Sequence, residues 1–74
     1  MLRARLIRQE ETSRLSPTGA IEFWTISEFV VEDPEKGIVF GPYFHEVRTN
    51  EYSPDELIAY MQAKKDECER LLSI

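Results

Sequence analysis

The chain lacks most of the residues that announce a chemistry. In 74 residues it has one cysteine, Cys68, and one histidine, His45. A lone cysteine excludes an intrachain disulfide framework and a Cys-rich zinc site. A lone histidine excludes HExxH and every other paired-histidine motif. The three glycines, Gly19, Gly37 and Gly41, form neither GxGxxG nor GxxxxGK[ST], so no phosphate-cradling loop is expected. No apolar run approaches the ~20 residues of a membrane span. The start, Met1 to Arg8, scatters arginine among its apolar residues, unlike a signal peptide. Small secreted domains usually need disulfide or metal staples. The expectation is therefore a soluble, cytoplasmic protein with no metal, no cofactor, no membrane partner and no small-molecule substrate.

Size excludes more. A domain of about 60 residues buries only ~60% of its unfolded surface, which leaves little room for an enclosed active-site cavity. The composition, 42% hydrophobic and 31% charged, is that of a single globular domain over residues 1–74. A net charge of −5 argues against a dedicated binder of nucleic acid or anionic membrane. The charge is uneven. Residues 1–14 carry Arg3, Arg5, Arg8 and Arg14 against Glu10 and Glu11, a net of +2, and residues 15–74 carry −7. A basic arm stands on an acidic body.

What is present points to an α+β fold. Ser53-Pro54-Asp55-Glu56 reads as a helix start, with Ser53 at the N-cap, Pro54 at the first helical position and Glu56 closing an S-x-x-E capping box. Tyr52 stands where a hydrophobic staple on Leu57 would. Leu57, Ile58, Met61, Cys68, Leu71 and Leu72 then repeat at helical spacing over 54–72, with Asp55, Gln62, Asp66, Glu69 and Arg70 opposite. Lys64 and Lys65 flank the stripe, where their stems can pack.

Residues 20–32 and 38–48 are rich in β-branched and aromatic side chains and flank Asp33-Pro34-Glu35-Lys36-Gly37, a hairpin loop built on a type I turn. Asp33 opposite Ile38 sets a register in which Phe29 faces Pro42, Glu28 faces Tyr43, Ile26 faces His45 and Trp24 faces Val47. Pro42 cannot donate to a ladder, so this strand is an edge or is bulged at Gly41-Pro42. Residues 2–10 alternate as a strand would, although Leu2 and Leu6 also stand four apart as on a helix. A loop over Thr12–Gly19 would join them to the hairpin. The expectation is a three-stranded antiparallel meander with one C-terminal helix on one face.

That register sorts the hairpin into two apolar faces. One holds Ile21, Phe23, Phe29, Val31, Ile38, Phe40 and Phe44, which the helix stripe would close. The other holds Trp24, Ile26, Val30, Val39, Tyr43, His45 and Val47, with Glu22, Glu28 and Glu32 among them. One helix cannot cover both. The second face, with Trp24, Ile26, Val30, Tyr43, His45, Glu22 and Glu28 as contacts, is the expected site of a protein partner or of self-association. The blander reading is a half-buried sheet surface on which Trp24 folds over Tyr43.

Other chemistries fare worse. A Cys68–His45 nucleophilic pair needs thiol and imidazole together, and the two fall on opposite faces. His45 near Glu28 or Trp24 would be a pH-responsive contact, against the simpler reading of an exposed histidine. Glu22, Glu28 and Glu32 share a face, but paired carboxylates do acid–base work only when one is desolvated beside a cleft. With Leu2 and Leu6 facing the core, Arg3 and Arg5 come to that same face, and cross-strand Arg–Glu pairing explains both sets. The alternative function, nucleic-acid binding through Arg3, Arg5, Arg8 and Arg14 with Trp24 and Tyr43 as stacking surfaces, is opposed by those glutamates.

Overall fold

A computed structural model describes residues 1–74. Three antiparallel strands, β1 (Arg3–Leu15), β2 (Ile21–Asp33) and β3 (Ile38–Arg48), form one sheet in the order β1-β2-β3. A short 3₁₀ turn (Thr49–Glu51) leads to the helix α1 (Pro54–Leu72), which packs on one face. The α+β meander with a C-terminal helix is the architecture that the residue pattern predicts, and the β3 and α1 boundaries agree with it.

The turn between β2 and β3 forms as its residues dictate. Asp33 Oδ1 accepts from the backbone N–H of Glu35 (3.1 Å) and Lys36 (3.3 Å). Gly37 takes the left-handed conformation at φ +68° that closes the loop. The helix start is simpler than a capping box. Ser53 stands at the N-cap and Pro54 follows, but the Ser53 side chain makes no capping hydrogen bond. Pro54 itself removes one N–H that would need a partner. The Tyr52 hydroxyl accepts from Gln9 Nε2 at 3.0 Å.

Two bulges decide which side chains share a face. In β3, Val31 pairs with Phe40 but Phe29 pairs with Tyr43, so Gly41 and Pro42 together oppose Val30. Gly41 has φ +115°, and a Cβ there would stand 3.1 Å from the Tyr43 backbone nitrogen. Glycine is required. Beyond this bulge the register moves by one, so Glu28 faces Phe44, Ser27 faces His45 and Thr25 faces Val47. In β1, the extra residue Ile7 lies between Leu6↔Phe29 and Arg8↔Glu28. β1 is also longer than its apolar alternation suggests. Thr12 to Leu15 pair with Trp24 to Ile21 instead of forming a loop, because the β-forming residues of β2 offer a complete ladder.

The core lies between α1 and the Asp33 end of the sheet. Leu2, Phe29, Val31 and Cys68 are buried there, with Ala4, Phe40, Tyr43, Tyr60 and Met61 packed around them. The helix stripe runs through Leu57, Tyr60, Met61 and Cys68, while Ile58, Leu71 and Leu72 are exposed. Tyr60 takes the place expected of Ile58, since its ring meets Phe29 edge-on at 5.8 Å.

Candidate functional site

The corrected register redistributes the residues expected to form one interaction surface. β2 is unbroken, so Glu22, Trp24, Ile26, Glu28, Val30 and Glu32 share the face away from the helix. Tyr43 and His45 do not join them. Both lie past the Gly41-Pro42 bulge and turn toward α1. The Tyr43 hydroxyl meets Cys68 Sγ at 3.4 Å, and the His45 ring meets Tyr60 at 5.2 Å. Phe44, expected in the core, turns to the far face and is exposed. Burial and the Cys68 contact raise the Tyr43 hydroxyl; the hydrogen bond with Cys68 is the larger cause, and together they push it up to about 12. Cys68 and His45 are thus on the same layer after all, each engaged by a different tyrosine. His45 is on the opposite side of the sheet from Glu28 and Trp24 and packs on Tyr60 instead.

The far face is not an open apolar surface. The bulge at Ile7 brings Arg3, Arg5, Arg8 and Arg14 all to it, opposite the glutamates of β2 and β3. Arg5 Nε donates to Glu32, with Arg3 at 3.5 Å from the same carboxylate. Arg8 Nε donates to Glu28 at 2.8 Å. Arg14 pairs with Glu46 at 3.3 Å and Arg48 with Glu22 at 2.9 Å. The guanidinium carbons of Arg14 and Arg48 also stand 4.9 and 5.9 Å from the Trp24 ring centroid, a cation–π clasp from both neighbouring strands. Long side-chain stems roof the apolar residues, so Val30 is buried and Trp24 and Ile26 are half-buried. Five arginines here balance five glutamates (Glu10, Glu22, Glu28, Glu32, Glu46), so the net charge of −5 belongs to the helix layer and the turns. The basic arm is internally neutralised. The hydrogen bond from Arg5, reinforced by the charges of Arg5 and Arg3, holds the Glu32 carboxyl below its ordinary value of 4.5.

Val39 and Phe44 of β3 stay exposed at the margin of the far face, and a further uncovered apolar surface lies on the helix side. The helix-side row of β2 reads Ile21, Phe23, Thr25, Ser27, Phe29, Val31, Asp33. Phe29 and Val31 are fully buried under α1. Ser27 and Thr25 form a polar band whose hydroxyls are satisfied, Ser27 by Gln9 at 2.9 Å and Thr25 by Thr49 at 3.0 Å. Beyond that band nothing lies over the row. Phe23 is 55% exposed, Ile21 65% and its β1 partner Leu15 75%. A helix of 19 residues is about 28 Å long, whereas a strand of 13 runs about 43 Å. The long axis of the molecule is 47 Å. The helix runs out first.

A shallow groove of about 480 Å³ opens at this bare end, lined by Ile21 and Phe23 with Glu11, Glu22, Arg48, Thr49 and Asn50. The residue pattern assigned Ile21 and Phe23 to the core and Leu15 to a loop. The signal that locates them correctly is the mismatch between helix length and strand length. No three His, Cys, Asp or Glu side chains converge as metal ligands. No helix is long and apolar enough to cross a membrane. No protein-family model, no curated protein and no solved structure matches the chain.

Proposed function

We propose that this chain is a non-enzymatic protein–protein interaction or assembly module, and that it meets its partner through the end of the sheet that its helix does not reach. The observation that carries this reading is the exposure of Leu15, Ile21 and Phe23 beside one another on the helix-side face. Together they present on the order of 300 Å² of apolar surface, a size at which the largest patch of a monomer is often functional. Glu11, Thr49 and Asn50 at its rim supply the polar border typical of interfaces with an aromatic centre. This moves the contact surface from the face of Trp24, Ile26 and Val30, which arginine and glutamate side chains already cover. The nucleic-acid reading needs free cations, and every arginine of the arm has a glutamate partner.

A photo-crosslinking residue in place of Phe23, expressed in the native cell, tests the proposal. Discrete protein adducts, absent when the same residue replaces the exposed turn residue Glu35, are the expected result. Equal labelling from the two positions overturns it.

A further inference from the structure

Resting on that reading, we propose that the partner is a second copy of this chain, paired edge to edge along β1 and antiparallel about Thr12, so that two three-stranded sheets become one of six strands. The sheet has two edges. β3 is interrupted at Gly41-Pro42, where the ladder is bulged and Pro42 has no N–H to donate. β1 is bulged only at Ile7, and from Arg8 to Leu15 its ladder with β2 is unbroken. Its outer row of backbone groups over that stretch has no partner strand.

The charges of β1 select one register. Two identical antiparallel edges meet around a two-fold axis perpendicular to the sheet, so facing residues point to the same side. Centring on Glu10 sets two glutamates against each other. Centring on Glu11 repeats that repulsion and adds Arg8 against Arg14. Centring on Gln9 pairs Arg8 with Glu10 but drives both ladders through the Ile7 bulges. Centring on Ser13 shortens the ladder and leaves no ion pair. Centring on Thr12 places Glu10 opposite the partner's Arg14, twice, with Thr12 against its own copy and no like charges facing. In this register Arg14 exchanges its 3.3 Å contact with Glu46 and its place over the Trp24 ring for the partner's Glu10, and Glu10 is the less committed member of the pair. Its own ion pair with Arg8 is a long 4.0 Å.

The same register covers part of the bare surface. Leu15 comes to lie beside the partner's Gln9, which holds the ring of Tyr52 through the 3.0 Å hydrogen bond to its hydroxyl. The exposed apolar end of each sheet is thereby set against the helix entry of the other. Both helices fall on one side of the joined sheet.

Thr12→Cys is the direct test. Facing residues in an antiparallel pair have Cα atoms about 4.5–5.5 Å apart, within disulfide range, and Cys68 is buried. Mild oxidation should cross-link Thr12→Cys chains into dimers, while Gln9→Cys and Ser13→Cys, which do not face their own copies, should stay monomeric. Sedimentation equilibrium up to roughly 100 µM, the range that a small interface requires, gives a second readout. Glu10→Arg and Arg14→Glu should each weaken the dimer roughly tenfold or more, and an equimolar mixture of the two should dimerise again. A wild-type chain that is monomeric throughout, or a dimer insensitive to both charge reversals, overturns the proposal. If the chain is monomeric yet cross-links from position 23 to another protein, the self-pairing is wrong and the interaction reading stands.

Discussion

The two ends of the helix-side row on β2 carry the same kind of side chain and meet opposite fates. At one end Phe29 and Val31 are wholly buried beneath α1; at the other Ile21 and Phe23 stand in solvent, with Leu15 beside them. Between them lies the satisfied polar band of Thr25 and Ser27. A row that needed only one core could end in polar residues past Ser27. This one resumes as apolar beyond the reach of the helix. The difference separates side chains that hold the fold together from side chains that the fold presents.

Phe29→Ala should break the buried end. Loss of a fully buried phenylalanine costs about 3–5 kcal/mol, a large part of the 5–15 kcal/mol typical of a domain. Denaturant titration followed by Trp24 fluorescence should show a protein partly unfolded without denaturant. Gly41→Ala strikes the same end through the backbone. Its Cβ would meet the Tyr43 nitrogen at 3.1 Å and the Phe29 carbonyl oxygen at 3.4 Å, in a conformation with φ +115°. A loss of about 2 kcal/mol is expected, together with weakened contacts of Tyr43 and His45 against α1. The same titration measures it, and a variant as stable as wild type would show that the bulge is not what sets the faces of β3.

The buried end should also be the acid-sensitive one. Arg5 and Arg3 depress the Glu32 carboxyl. The Met1 ammonium at 3.0 Å, with the N–H groups of Lys36 and Glu35, depresses Asp33. A carboxyl with a folded value below its unfolded one binds fewer protons in the folded state. Its stabilisation is complete above the unfolded value and is lost as pH falls through the folded one. The thermal midpoint should therefore fall between about pH 5 and pH 3, and less steeply in Glu32→Gln. Equal slopes would remove Glu32 from the account. The smallest effect belongs to the bare end. Phe23→Ser should change the stability of the monomer by no more than about 0.5 kcal/mol, as exposed positions do, and circular dichroism melts check it.

The element pattern was legible because its signals are local. Ser53-Pro54 starts a helix and Asp33-Pro34…Gly37 closes a hairpin whatever the rest of the chain does. Parity across the sheet is not local. A single extra residue at Ile7 or at Gly41-Pro42 moves every later side chain to the other face, so Tyr43, His45 and Phe44 were sorted to the wrong sides while the unbulged β2 was sorted correctly. The Arg–Glu pairing expected for Arg3 and Arg5 extends to Arg8 and Arg14 only because the β1 bulge realigns them. The bare end was missed for another reason. Apolar alternation reports which face a residue takes, and says nothing about how far along the strand the cover extends.

The most direct test of the contrast compares Phe29→Ala and Phe23→Ala on two readouts, the unfolding midpoint and association, the latter by sedimentation and by cross-linking from position 21. Phe29→Ala should lower the midpoint sharply and leave the protein partly unfolded without denaturant. Phe23→Ala should keep the wild-type midpoint and lose the association. If Phe23→Ala destabilises the monomer as severely as Phe29→Ala, or associates as wild type does, the two ends of the row do not differ in the way described.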